Sequence, residues 1–256
     1  MTDLADAGVV VLGGTAGVGF ETARQFAELG ARVVLVGRDG RRGSAACADL
    51  RTSVPDAEVS FVRADAVDPD QAIEAATVAR ERLGDIDVLV SSTGPSEPPR
   101  LLADIPISAL RVRIEEIVLP PLHMMHAVLP SMRARGSGAV ITVASDAAKI
   151  ATPGETLIGA GMAAIVMFCK AAALEAKREG VRINLLTPSL IAGTPGAALI
   201  AGEPFSARMF AKAASMAHLG VVEARDLAAM AVYLASPSAA RITGQAISIN
   251  GGISIA

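Results

Sequence analysis

Seven short runs rich in β-branched residues, separated by longer segments of helical period, constrain the fold more than any other feature of this sequence. They are Val9–Leu12, Val33–Val36, Val59–Val62, Ile86–Val90, Ala139–Val143, Ile183–Leu186 and Ala246–Ile249. Strands covered on both faces read as continuous apolar runs, and helical crossovers between them require a parallel sheet. Right-handed crossovers then place helices on both sides. The pattern predicts an α/β fold with a doubly wound parallel sheet. Apolar residues make up 52% of the chain, enough to cover such a sheet. No linker, repeat or low-complexity stretch interrupts the rhythm, so residues 1–256 read as one domain.

One connection is longer than the rest. Residues 189–220, SLIAGTPGAALIAGEPFSARMFAKAASMAHLG, follow a strand directly and are rich in Gly, Pro, Ala and Met. In open α/β sheets ligands bind beyond the carboxyl ends of the strands, so a segment here can act as a lid. A plain pair of helices on the sheet edge fits equally well.

The remaining composition mostly excludes. A net charge of −3 leaves no electrostatic footprint for nucleic acid. No apolar run reaches the roughly 18 residues of a membrane span without a charge, Pro or Gly. The opening MTDLADAG has no basic stretch followed by an apolar one. Cys47 and Cys169 stand far apart with no CxxC, which predicts two reduced thiols in a cytoplasmic protein. No metal-ligand cluster is visible.

The first strand runs into Gly13-Gly14-Thr15-Ala16-Gly17-Val18-Gly19 and then into a helix. Gly13 permits a tight turn, Gly17 lets the backbone approach a pyrophosphate, and Gly19 lets the helix pack closely on the strand. The helix N-terminus then meets the phosphate charge. This turn resembles the TGxxxGxG turn of the short-chain dehydrogenase/reductase family, with Leu12 at the family's threonine. DIDVLVSSTG is similar to that family's strand ending in NNAG, with Ser91, Ser92 and Thr93 before Gly94. GSGAVITVAS is similar to the strand that delivers the catalytic serine, which falls at Ser145. GVRINLLTPS resembles the strand leading to its PG, with Ser189 at the glycine, and ITGQAISINGG resembles its C-terminal TGQ…DGG. The motifs occur in the family's order along nearly the whole chain.

The resemblance implies a Rossmann-type fold, a homodimer or homotetramer, and a nicotinamide cofactor with a small-molecule substrate. It places the cofactor on Gly13, Thr15, Gly17, Val18, Gly19, Arg38, Asp65, Ala66, Gly94 and Pro188. Strand two ends at Gly37, so no carboxylate there receives the ribose 2′-hydroxyl, and Arg38 follows. That favours NADP(H) over NAD(H), with Arg41 and Arg42 as further cations and Asp39 as a counterweight. Asp65 matches the family's contact to adenine, or caps the helix beginning near Pro69.

In the family the serine is followed thirteen positions later by tyrosine and four positions on by lysine. Those positions are Ile158 and Met162. Residues i and i+4 share a helix face, and the lysine there lowers the phenol pKa for proton exchange. Isoleucine and methionine have no proton to give. Tyr233, the only tyrosine, reads as a core residue of a later helix. The family's asparagine falls at Ile117, just before Pro120 and Pro121, where a helix kink is expected. Asp146, Lys149 and Glu155 border the same cleft but read first as solvated loop residues. His123 and His126 read as structural.

Three functions follow. One is an atypical oxidoreductase that binds NADP(H), polarises a carbonyl with Ser145 and finds its proton elsewhere. Another is an isomerase, dehydratase or cyclase using Asp146 or Glu155. The last is a degenerate subunit that binds a nucleotide or partner without catalysis.

Overall fold

The computed structural model describes residues 4–255. Seven strands form one sheet: β1 (Gly8–Leu12), β2 (Arg32–Gly37), β3 (Val59–Arg63), β4 (Val88–Ser91), β5 (Gly138–Val143), β6 (Val181–Thr187) and β9 (Ala246–Ser248). Their order is β3-β2-β1-β4-β5-β6-β9, and every pairing is parallel. The doubly wound single-domain fold is therefore as expected, and each strand lies on its predicted run.

Strand side chains divide between two cores because successive residues point to opposite faces. Val10, Leu12, Val34 and Val36 enter one core with Leu89 and Leu185. Val9, Val11, Val33 and Leu35 enter the other with Val90 and Leu186. The first core is covered by α3 (Pro69–Leu83), α4 (Leu110–Arg135) and α5 (Thr156–Ala176). The second is covered by α1 (Gly17–Glu28), α2 (Gly40–Ser53) and α8 (Ala224–Ala235). Each wholly buried aliphatic side chain contributes about 1.5–3 kcal/mol through removal from water.

Helix α4 runs through Pro120, Pro121 and Pro130 as one 26-residue helix. The missing proline amides do not divide it. Met124, Met125 and Met132 are fully buried along it and hold it against the sheet. Its apolar middle therefore faces inward. The exposed apolar face belongs to α5, where Met167 and Leu174 are each 66% exposed. By length and composition α5 is apolar enough to cross a membrane, but its other face packs on α4 and β6.

Tyr233 is not a core residue. It lies on the outer side of α8 and is 41% exposed, while Leu227, Ala231 and Leu234 face α1. Cys47 and Cys169 are free and buried, and burial raises both thiols, Cys169 to about 12. Such thiols are inert at neutral pH.

The long connection folds as β7 (Ile191–Ala192), α6 (Pro195–Ala201) and α7 (Pro204–Met216). Strand β7 pairs in parallel with β8 (Val222–Glu223), a separate two-stranded sheet. The pair of helices borders the space beyond the main sheet.

Candidate active site

Strand order reverses between β1 and β4, and there a crevice must open beyond the carboxyl ends. It does, as a cleft of about 720 Å³. One wall is the glycine turn. Gly13 has φ +77°, and a Cβ there would stand 2.5 Å from the Ser92 carbonyl oxygen. At Gly19 a Cβ would stand 2.3 Å from the Gly13 carbonyl oxygen. What Gly19 permits is thus closure of α1 onto the turn itself. Thr15, Gly17 and Val18 line the cleft beside them. Ala16, the N-cap of α1, offers no side-chain cap, and the first turn has no acidic residue. The helix start is left as a cluster of amide donors facing the cleft, suited to a phosphate.

Beyond β2 and β3 lie Gly37, Arg38, Arg42, Asp65 and Ala66. Arg38 is largely exposed, with its guanidinium 4.0 Å from the Asp65 carboxylate. Asp39 also lines the cleft; its carboxylate caps α2 by accepting from the Arg41 and Arg42 amides and stays a counter-charge beside Arg38. Arg42 borders the cleft and Arg41 does not. Asp65 is not the cap of α3, which is Asp68; its own carboxylate accepts from the Val67 amide at 3.2 Å. His123 reaches the Ala66 carbonyl at 3.0 Å and so is structural, while His126 is exposed. Bare helix amides with arginines beside them give this end of the groove a charge that matches a dinucleotide.

The opposite end is formed by Gly94 after β4, Ser145 after β5 and Pro188 after β6, facing Ile158 and Met162 of α5. Ser145 Oγ accepts from the Ala147 amide at 3.1 Å, which leaves the hydroxyl proton available for donation. Ile158 is half-buried, and Met162 is 3% exposed. Ile117 is buried against Gly161 of α5, where a Cβ would stand 2.8 Å from its Cγ2. Among the described residues no cluster suited to a metal occurs.

Asp146 and Glu155 correct the sequence reading in opposite directions. Asp146 is neither solvated nor in the cleft. It is 6% exposed and accepts from Ser248 Oγ at 3.1 Å, Ser254 Oγ at 2.7 Å and the Asn250 side-chain amide. Lys149 Nζ lies 3.8 Å from it and donates to Ser248 Oγ at 2.6 Å. These residues anchor the C-terminal segment. Glu155 does line the cleft but is half-buried rather than solvated. Burial pushes its carboxyl up to about 7, against a lowering hydrogen bond with Thr152 and with a further push from Asp146.

The sequence reading missed the loop 95–100, which joins this end of the cleft to a small side pocket. There Glu97 pairs with Arg113, and Ser96 Oγ donates to Glu116 at 2.8 Å. The PSEPPR stretch marks a loop, but nothing in it names partners on α4.

The comparisons agree with this geometry. The family model described as Enoyl-(Acyl carrier protein) reductase matches residues 13–254. Among curated relatives, Dehydrogenase/reductase SDR family member 7B of Danio rerio is 33% identical over 159 residues, 59% of this chain and 50% of that protein. Cis-4-hydroxycyclohexanecarboxylate dehydrogenase of Sinomonas cyclohexanicum is 32% identical over 169 residues, 64% of this chain and 65% of that one. The matches thus span about half to two thirds of those relatives. Among solved structures, levodione reductase superposes with TM-score 0.89 at 26% identity, covering 97% of each chain. A further short-chain dehydrogenase/reductase family protein gives 0.83 at 30% identity, covering 98% of each. The chain belongs to the short-chain dehydrogenase/reductase family, whose members are oxidoreductases that use NAD(P)(H) on small molecules.

Proposed function

We propose that this chain is an NADP(H)-dependent oxidoreductase of a small carbonyl or alcohol, atypical in lacking the tyrosine and lysine that serve its relatives. The observation that carries the reading is the cleft itself: bare α1 amides and Arg38 at one end, Ser145 against Ile158 and Met162 at the other. A bound nicotinamide supplies or takes up the hydride. Arg38, with Arg42, pairs with the 2′-phosphate, and the Asp65 carboxylate orients the Arg38 guanidinium from 4.0 Å. Ser145 donates to the substrate oxygen. Helices α6 and α7 act as a lid, since Thr194, Pro195 and Phe210 border the cleft. Two relatives are named for acting on a cyclohexane carboxylate and on levodione, which supports a small cyclic ketone or alcohol.

Calorimetry should show NADPH binding more tightly than NADH. Arg38→Ala should weaken NADPH by about tenfold or more, as expected for loss of a charge-assisted phosphate contact, and leave NADH unchanged. Equal losses for both cofactors would mean that Arg38 does not read the phosphate. A second reading, a nucleotide-binding subunit without turnover, rests on the apolar Ile158 and Met162. Binding of NADPH with no turnover of any ketone or alcohol would select it.

The protein is further proposed to be cytoplasmic and to assemble as a homodimer or homotetramer. The exposed Met167, Phe168 and Leu174 of α5 support assembly. Light scattering at micromolar concentration should return a multiple of 26.0 kDa, and a monomer would remove the assembly.

A further inference from the structure

We propose, building on the oxidoreductase reading, that Glu155 is the catalytic acid and base of this cleft, the group that gives the substrate oxygen its proton and takes it back. Two observations place it there. Glu155 is the N-cap of α5, directly before the helix that carries Ile158 and Met162, and all three line the cleft. The first turn of α5 packs on the short turn after Ser145, where a Cβ at Gly159 would stand 2.8 Å from the Ala147 carbonyl oxygen. Glu155 and Ser145 therefore reach the same end of the cleft from adjoining elements.

The surroundings favour a carboxyl that changes charge at neutral pH. Burial pushes it up to about 7, Asp146 on the neighbouring turn adds to the rise, and only the Thr152 hydrogen bond opposes them. The nearby cations are engaged elsewhere. Lys149 donates to Ser248 and the Ala246 carbonyl, and Arg113 in the adjoining side pocket pairs with Glu97. Glu116, which lines the cleft, accepts from Ser96 Oγ. Arg100 meets this loop through its backbone amide, 2.9 Å from the Gly154 carbonyl.

The step balances in both directions. In reduction the carbonyl carbon receives hydride from the reduced nicotinamide, the C=O π bond breaks, and the oxygen takes the Glu155 proton. Glu155 is left as carboxylate and is reprotonated from water. In oxidation the carboxylate removes the alcohol proton as hydride leaves. Reduction needs the acid form and should slow as pH rises through about 7; oxidation needs the base form and should speed up over the same range.

The test begins without turnover. Glutamate labelled with ¹³C at its carboxyl is titrated by NMR in wild type, and the resonance absent from Glu155→Gln is assigned to Glu155. A midpoint near 7 is expected, moving down on saturation with NADP⁺ and less with NADPH, because only the oxidised ring carries a positive charge beside it. A midpoint in the ordinary carboxylate range, or one indifferent to NADP⁺ that is bound by calorimetry, overturns the assignment. Reduction of cyclohexanone with NADPH is then followed with enzyme in excess. Glu155→Gln should lose about 10²–10⁴-fold in rate and the inflection near 7, with NADPH affinity unchanged, and Glu155→Asp should recover part of the rate. Retained rate and profile in Glu155→Gln, or no wild-type turnover with NADPH bound, also overturns it. Failure of the wild type to bind either cofactor sinks the oxidoreductase reading instead, and is seen separately.

Discussion

Asp146→Ala is expected to destabilise the protein by about 3–5 kcal/mol and to release the C-terminal segment from the sheet edge. The magnitude is that of removing one partner from a buried charged network, where the groups left behind keep the penalty of their burial. Asp146 is the hub on which Ser248, Asn250 and Ser254 converge, 102 to 108 residues further along the chain. Its own amide donates to the Pro188 carbonyl at 2.8 Å, so the network ties the ends of β5 and β6 to the segment after β9. Asp146→Asn should cost less, because the amide keeps one acceptor oxygen and the same shape. Denaturant unfolding should show a lower midpoint at unchanged slope. A loss below about 1 kcal/mol for the alanine variant would mean that the network is peripheral to stability.

The second large effect concerns the chemistry. In a Glu155→Gln background, Ile158→Tyr combined with Met162→Lys should raise turnover of simple ketones by about 10²–10⁴-fold, the usual worth of a positioned proton donor. The two residues already face one cleft, so a phenol and an ammonium placed there would lie on one helix face. Met162 is 3% exposed, so lysine alone would bury an unpaired ammonium among apolar neighbours. The single variant should therefore be unstable and slow. The restored pair would also bypass Glu155: Glu155→Gln should then cost little. If these changes bind NADPH but reduce ketones no faster than Glu155→Gln alone, a donor at 158 and 162 does not reach the substrate oxygen.

The sequence by itself determined the sheet, because a strand covered on both faces must be apolar at consecutive positions and that demand is local. The glycine turn was legible as well, since Gly13 takes a positive φ and Gly19 closes on Gly13 six residues before it, although the Ser92 carbonyl that crowds Gly13 comes from another strand. Ile158 and Met162 were legible by counting thirteen and seventeen positions on from Ser145 to α5. Only the tertiary structure decided what each charged residue does. Asp146 and Glu155 sit nine positions apart and look alike in the sequence. One is enclosed by donors from 248–254, and the other is half-buried with, among the described residues, no cation holding it ionised. Tyr233 turned outward, and Met167 and Leu174 left an apolar outer face on α5, because the sheet takes only one side of each helix. Burial and electrostatics are sums over neighbours in space, and here those neighbours arrive from a hundred residues away.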